Sequence, residues 1–196
     1  MFPLVLASGS ASRKALLSAA GVIFIADPAD LDEDALMREL REESAEVVAQ
    51  TLAEQKALHV SRRHAGRVVL GGDSVIDFEG EHLSKCTTTI EARALLERFA
   101  GSTHLLVSAA ALARDGALLW TDASPCRMTV RALTPQFLDD YFIQEGSGIL
   151  SSVGCYHFEG RGAQLFDKVE GDYFSVLGLP LLAVLAALRK EGVLAS

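Results

Sequence analysis

A tight hairpin in the middle of the chain narrows the possible folds more than any other element. Asp115-Gly116 lies between two apolar segments, 105–113 and 117–121, and this dipeptide is a frequent signal for a turn between antiparallel strands. Elsewhere, short apolar segments alternate with helical spacing, an order typical of parallel strands joined by helices. Together the two patterns predict an α/β fold around a mixed twisted sheet.

The segments on either side of the hairpin have recognisable boundaries. Residues 4–7 predict a buried strand, and after a Ser/Gly-rich loop a helix runs from Arg13 to Ala20, where Gly21 ends it. Residues 68–70 predict a second buried strand that ends at Gly71-Gly72-Asp73. Helical signals cover 44–63 and the segments between Thr88 and Gly101, between Thr134 and Gly146 and between Pro180 and Gly192. Further strands are predicted over 128–133 and 163–169, with an extended piece over 75–78 and an acidic loop over 27–34.

Composition indicates an ordinary globular unit without a general attraction for polyanions. Of the 196 residues, 49% are hydrophobic and 22% are charged, so we expect residues 1–196 to form a single domain. The formal net charge of −8 supplies no positive field for nucleic acid or anionic lipid, and we expect neither as a partner. An anionic small molecule therefore needs a local basic site.

Cysteine usage and the apolar segments favour a cytoplasmic location. Cys86, Cys126 and Cys155 are odd in number and form no CxxC or Cys/His pattern, which argues against a disulfide framework and a structural zinc. Residues 1–6 lack a basic leader. The apolar run over 174–188 contains a proline and falls short of the ~20 residues that span a bilayer, so we predict a buried helix there.

Two stretches near predicted strand ends are candidates for chemistry. In the loop over 7–14, small residues between a strand and a helix let backbone N–H groups converge on an anion, and Arg13 and Lys14 add positive charge. The same spacing also fits a Ser-capped helix with a solvated basic first turn. Asp73, just after a predicted buried strand, is placed to orient water or hold a metal, although a carboxylate after two glycines is also a common turn residue.

Three further features have a functional and an ordinary interpretation. Lys56 and Lys85 are candidate cations for an anionic ligand, and surface lysine is the default interpretation of each. The glycine-rich segment 154–162 carries Glu159 among aromatic residues, where it would read a base, or else it forms a hairpin with surface charges. The five histidines form no HExxH or HxH pattern, which disfavours a histidine metal site.

The order of these motifs carries more information than any one of them. The pieces, from Leu4 to about Leu188, are LVLASGSASRKALLSAAGV, LAEQKA, VVLGGDSV, LSKCTT, AGSTHLLVSAAAL and EGDYFSVLGLPL. In this order they resemble the Maf family of nucleotide pyrophosphatases. The resemblance implies a fold related to inosine triphosphatase. It also implies hydrolysis of nucleoside triphosphates to the monophosphate and pyrophosphate with a divalent metal such as Mg²⁺, Mn²⁺ or Co²⁺.

The resemblance also implies roles for individual residues. Asp73 matches the family's proposed proton acceptor, and Lys56 and Lys85 match lysines of two of its motifs, so these three are the predicted catalytic residues. Ser8 and Arg13 match an N-terminal Ser and Arg and are predicted to bind substrate. The cations would neutralise the triphosphate. Glu33 matches an acidic residue that would hold the metal together with Asp73, because hard cations prefer carboxylate oxygens.

The family's base-recognition positions point to a purine. Members selective for uracil or thymine nucleotides typically have Arg, Thr and Gln where this chain has Ser12, Ser74 and Glu159. Members acting on 7-methylguanosine triphosphate have Trp, Gln and Glu, so only Glu159 agrees with a known set. A carboxylate accepts hydrogen bonds and does not donate them, which suits the N1–H and N2–H₂ donors of guanine. We therefore predict a guanine-like or modified purine nucleotide as substrate.

The resemblance leaves alternatives open. The family is linked to inhibition of septum formation, so a regulatory protein of cell division that binds without hydrolysis is a different class of function. A nucleotide-binding sensor without turnover is a third. Maf relatives are often dimers, which makes a homodimer an expected assembly.

Overall fold

The computed structural model describes residues 4–195, and one seven-stranded sheet forms its centre. The strand order is β2-β1-β3-β5-β6-β7, with β4 paired to β3. Strand β1 is parallel to β2 and β3, whereas the other pairings are antiparallel, so the predicted α/β fold with a mixed sheet is confirmed. The strands are β1 Leu4–Leu6, β2 Phe24–Ala26, β3 Val69–Phe78, β4 Glu81–Leu83, β5 Thr103–Arg114, β6 Ala117–Val130 and β7 Phe166–Glu170.

Helices cover both faces of the sheet. They are α1 Ala11–Ala19, α2 Glu33–Glu39, α3 Ala45–Ser61, α4 Thr89–Phe99, α5 Pro135–Glu145, α6 Tyr173–Val176 and α7 Leu181–Lys190, with 3₁₀ turns over Gly146–Ser151 and Arg161–Leu165. Leucines of α1 and α7 pack with the leucines of β1 on one face. The alanine-rich face of α3 packs with valine and alanine side chains of β3 and β5 on the other.

Most predicted helix boundaries agree with the capping residues in the structure. Ser44, Thr88 and Thr134 each accept a hydrogen bond from a backbone N–H of the first turn, as N-cap residues do. The hairpin at Asp115-Gly116 joins β5 to β6 as predicted. Among residues 4–195 no helix is long and apolar enough to cross a membrane. The sequence prediction for the first six residues falls partly outside this range, because residues 1–3 are not described.

The predicted strand end at Gly71-Gly72-Asp73 is wrong, because β3 continues unbroken to Phe78. The two glycines stay in the ladder with β5. A side chain at Gly71 would collide with the backbone of Ala53 and Ala57, so this glycine permits close packing of α3 on the strand and does not form a turn. Strand β1 ends at Leu6, opposite Leu70, and β4 pairs with the same side of β3 only from Ile76, so this side of β3 is open from Gly71 to Val75.

Three other predicted elements have different boundaries. The predicted strand over 128–133 is the end of β6, which passes through Pro125 without interruption. Strand β7 pairs with β6 only over Arg127–Val130, so Pro125 faces an unpaired edge where its missing N–H costs no ladder bond. The predicted strand over 163–169 is half 3₁₀ turn and half β7, and the predicted acidic loop over 27–34 includes the start of α2.

Candidate functional site

A deep cleft of about 2020 Å³ opens past the carboxyl end of β1, over the open side of β3. Such a position is where α/β sheets usually bind ligands. The cleft is lined by residues of α1, α2, α3, β3 and β4 and of the segments that connect the strands and helices around it. All nine residues proposed from the sequence are among them: Ser8, Ser12, Arg13, Glu33, Lys56, Asp73, Ser74, Lys85 and Glu159.

Strand β3 directs consecutive side chains to its two faces at this point. Asp73 shares the face of Gly71, which packs on α3, whereas Gly72 and Ser74 share the face that meets Arg13 of α1. The positive side chains of α1 and α3 therefore approach the open edge of β3 from opposite faces. The extended backbone brings together charges that come from separate helices.

Arg13 is a buried guanidinium held entirely by neutral acceptors. Its Nε donates to the Gly178 carbonyl at 2.8 Å, Nη1 to Ser8 Oγ at 3.2 Å and Nη2 to Ser74 Oγ at 3.0 Å. No carboxylate among residues 4–195 lies within ion-pair distance of it. Burial lowers the pKa of Arg13 below its usual value, and the negative charges of Asp73 and Glu33 partly oppose this shift. A buried cation without an anionic partner is suited to accept one from a ligand.

Lys56 and Asp73 form a buried ion pair on the α3 side of β3. Lys56 Nζ lies 2.5 Å from Asp73 Oδ1, and the two side chains are only 8% and 11% exposed. The same ammonium lies 2.8 Å from Glu33 Oε2, at the start of α2. One positive charge thus faces two carboxylates. Asp73 Oδ2 has no hydrogen-bond partner within the described part of the chain.

The remaining predicted residues lie at the rim of the cleft. Lys85 is exposed in the loop between β4 and α4, and Glu159 is exposed between the two 3₁₀ turns. Ser12 is half-buried in the first turn of α1. None of these three side chains has a hydrogen bond or ion pair with another residue in the described range 4–195. They are free to contact a ligand.

A buried hydrogen-bonded pair supports the segment that carries Glu159. His104 of β5 is 2% exposed, and its Nε2 lies 2.9 Å from the hydroxyl of Tyr156, which lines the cleft. Burial lowers the pKa of His104 to about 4 and raises the pKa of Tyr156. Both side chains are therefore neutral at physiological pH and serve as packing and hydrogen-bonding groups.

Several features of the cleft were not predicted from the sequence. Helix α2, which positions Glu33, starts with Asp32 as its N-cap residue, a signal that the sequence does contain. The hydrogen bond between Arg13 and the Gly178 carbonyl was not predicted, and the only hint of it in the sequence is the glycine at position 178. The hydroxyl of Ser108, 2.8 Å from Ser74 Oγ, has no such hint, because it lies within an apolar strand.

Fold and cleft together define a class: an α/β protein with a cleft at the carboxyl end of a parallel strand, where a buried arginine has only neutral partners. The family model described as "Maf-like protein" matches residues 3–191, and the chain belongs to the Maf family. It is 48% identical over 190 residues to the 7-methyl-GTP pyrophosphatase of Brucella suis biovar 1 (strain 1330), and the match covers 96% of each chain.

Two further comparisons, one with a curated relative and one with a solved structure, also cover most of the chain. The nucleoside triphosphate pyrophosphatase of Caulobacter vibrioides (strain ATCC 19089 / CIP 103742 / CB 15) is 43% identical over 194 residues, with 98% of this chain and 97% of the relative covered. Among solved structures, a nucleoside-triphosphatase / dITP/XTP pyrophosphatase from Mycobacterium abscessus ATCC 19977 / DSM 44196 matches with a TM-score of 0.38 and 17% identity, covering 76% of this chain and 96% of that chain.

Proposed function

We propose that this protein hydrolyses nucleoside triphosphates to the nucleoside monophosphate and pyrophosphate. The observation that carries the proposal is a buried carboxylate, Asp73, that contacts Lys56 at the open edge of β3, while Arg13 approaches the same edge from the other face. Membership of the Maf family and the names of its relatives, which are nucleotide pyrophosphatases, support the same reaction.

The cations bind the triphosphate in this proposal. Arg13 presents a charge that no protein carboxylate neutralises, and Lys85 reaches the cleft from its rim. Ion pairs in a partly dry cleft are stronger than in bulk water, with a Coulomb energy of roughly 4 kcal/mol at 4 Å and an intermediate dielectric. Ser8 contributes by holding Arg13 Nη1 in place.

Asp73 is the proposed general base. Its Oδ1 is fixed by Lys56, which leaves Oδ2 directed to accept a proton from water that attacks the α-phosphorus. The bond between the α-phosphorus and the bridging oxygen then breaks, and pyrophosphate leaves with that oxygen. Lys56 holds the Asp73 carboxylate in place through its contact with Oδ1.

A divalent metal is part of the proposal. Glu33 and Asp73 supply carboxylate oxygens that already converge on one positive centre, the Lys56 ammonium, and such oxygens suit a hard cation such as Mg²⁺, Mn²⁺ or Co²⁺. No group of three or more His, Cys, Asp or Glu side chains in the described residues forms a ligand cluster, so the phosphates would complete the coordination. A bound metal of this kind lowers the pKa of water and screens phosphate charge.

The base preference proposed for the site is guanine or a modified guanine. Glu159 at the rim is free of protein partners and offers two acceptor oxygens to the N1–H and N2–H₂ donors. The name of the Brucella suis relative, a 7-methyl-GTP pyrophosphatase, is consistent with this choice. Ser12 and Ser74 are the other positions proposed for recognition.

A binding-only role in cell division is not favoured, since the relatives carry the names of enzymes. Self-association into a homodimer stays a prediction, and analytical ultracentrifugation of the purified protein would test it. A single sedimenting species of about twice the 20.9 kDa chain mass is the expected result.

The reaction is tested by measuring phosphate with and without added inorganic pyrophosphatase, across a nucleotide and metal panel. We expect phosphate only when the coupling enzyme is present, because pyrophosphate is the direct product. Asp73→Asn should lower kcat at least 100-fold while still binding nucleotide, whereas Asp167→Asn, on exposed β7, should change little. Phosphate without the coupling enzyme, or full activity of Asp73→Asn, would overturn the proposal.

A further inference from the structure

Three serines stand side by side across the middle of the sheet. Ser74 of β3 is directly opposite Ser108 of β5, which is directly opposite Ser124 of β6. Directly opposite residues share one face of a sheet, and here it is the face that meets Arg13. Ser108 is fully buried, whereas Ser74 reaches the cleft.

The hydroxyl of Ser108 has a single partner. Its Oγ lies 2.8 Å from Ser74 Oγ, and no other hydrogen bond joins it to any residue between Leu4 and Ala195. A buried hydroxyl that cannot donate its proton loses about 1–3 kcal/mol of solvation without compensation. The favoured arrangement is therefore the one in which Ser108 donates its proton to Ser74.

The remaining hydrogen bonds of Ser74 then follow from proton counting. Arg13 Nη2 is always a donor, and it lies 3.0 Å from Ser74 Oγ. With Ser108 also donating, both lone pairs of Ser74 Oγ accept bonds from the protein. The hydroxyl proton of Ser74 has no acceptor left among these partners, and the direction that remains for it is the cleft.

We propose that Ser108 is a positioning residue that makes Ser74 a fixed hydrogen-bond donor to an acceptor oxygen of the bound nucleotide. This inference rests on the proposed function and extends it to a residue outside the cleft. Without Ser108, the Ser74 hydroxyl rotates between the ligand and the strand interior. The loss then appears in substrate affinity and selectivity.

The acceptor oxygen belongs either to a phosphate or to the base, and both offer the same chemistry. GTP and 2-aminopurine riboside triphosphate separate the two sources, because the second nucleotide lacks the 6-oxygen. A larger loss on GTP than on the 2-aminopurine nucleotide in Ser74→Ala assigns the donor to the base oxygen. An equal loss on both assigns it to a phosphate oxygen, and each result supports the proposal.

The test of Ser108 is a double-mutant cycle with Ser74. We expect Ser108→Ala to lower kcat/KM for GTP about threefold to tenfold, mainly through KM, as does loss of one hydrogen bond. In a Ser74→Ala background the same change should have little further effect, since the hydroxyl it orients is gone. Ser124→Ala is the matched control, because it lies in the same row but makes no hydrogen bond to Ser108.

Binding of the α,β-methylene analogue of GTP, measured by calorimetry, repeats the cycle without turnover. If the wild type binds this analogue but hydrolyses no nucleoside triphosphate, the proposed function fails. The double-mutant cycle measured by binding still decides the role of Ser108. Additive effects of the two alanine changes, or equal losses in Ser108→Ala and Ser124→Ala, would overturn the proposal. Absence of analogue binding by the wild type would overturn it as well.

Discussion

Arg13 Nε and the carbonyl oxygen of Gly178 lie 2.8 Å apart, although 165 positions separate the two residues. Gly178 has a φ of 103°, and a Cβ atom there would come within 4 Å of Ser74 Oγ and of the Arg13 guanidinium. These distances are ordinary contacts, so the positive φ, which glycine adopts without strain, is what the turn requires for its carbonyl to face Arg13. The orientation of a cation in α1 depends on the turn that precedes α7.

Replacing Arg13 with lysine should impair the site while keeping its charge. Lysine cannot donate to the Gly178 carbonyl, Ser8 and Ser74 together, because it lacks the fixed fork of a guanidinium. We expect kcat/KM for the best nucleotide to fall at least tenfold. Arg161→Lys, at an exposed position outside the cleft, is the control and should retain full activity. Wild-type kinetics in Arg13→Lys would contradict the proposed role.

Changing Glu159 to glutamine should alter which base is preferred. The amide presents one donor and one acceptor, and this matches the mixed edge of uracil better than the adjacent donors of guanine. The ratio of kcat/KM for GTP to that for UTP should therefore fall at least tenfold. Asp167→Asn is a suitable comparison, since it removes a carboxylate from exposed β7 and should leave the ratio unchanged. An unaltered ratio in Glu159→Gln would place base recognition elsewhere.

His104 should make the fold sensitive to acid. Burial holds its pKa at about 4 in the folded state, against about 6.5 when unfolded. As pH falls below 6.5 the unfolded chain binds a proton that the folded chain does not, so stability is lost until pH reaches about 4. The loss amounts to about 3 kcal/mol.

Urea denaturation of the wild type and of His104→Gln from pH 7 to pH 4 measures this pH-dependent loss of stability. Glutamine keeps a polar atom for the Tyr156 hydroxyl and does not titrate. As the pH is lowered, the free energy of unfolding of the wild type should fall more than that of His104→Gln. His59→Gln, at a partly exposed position on α3, should follow the wild type. Parallel pH profiles for wild type and His104→Gln would show that the folded His104 also protonates.

Substitution of Gly71 by alanine should destabilise the protein strongly. Its added methyl group would overlap backbone atoms of Ala53 and Ala57, which cannot move without displacing α3. We expect a loss of about 3 kcal/mol or more in the free energy of unfolding, at the upper end for overpacked cores. Gly148→Ala adds the same group in open space and should be nearly neutral. Equal thermal midpoints for the two variants would refute this packing argument.

The sequence allowed most of the fold to be predicted because its local signals are strong. The turn at Asp115-Gly116, the caps at Ser44 and Thr134 and the apolar strands act over a few residues, and all appear in the structure. The error at Gly71 arose because a glycine pair has two physical uses, a turn or a close approach between helix and strand. Only the packing of α3 decides between them.

The cleft could be predicted only in part for a similar reason. The order of the motifs identified the charged side chains as candidates, and the structure places them around one cavity. The carbonyl of Gly178 and the hydroxyl of Ser108 could not be predicted, since any residue has a carbonyl and serine is common in strands. Their importance comes from contacts between distant parts of the chain.

The position of Asp73 inside a continuous strand divides the cleft into a rigid part and an adaptable part. Hydrogen bonds to β5 run along β3 on both sides of this carboxylate, and Lys56 is anchored in a long helix. Glu33, Lys85 and Glu159 instead project from a short helix and two irregular segments. Under the proposed function, substitutions at the rim would change the preferred nucleotide without disturbing the backbone that carries Asp73.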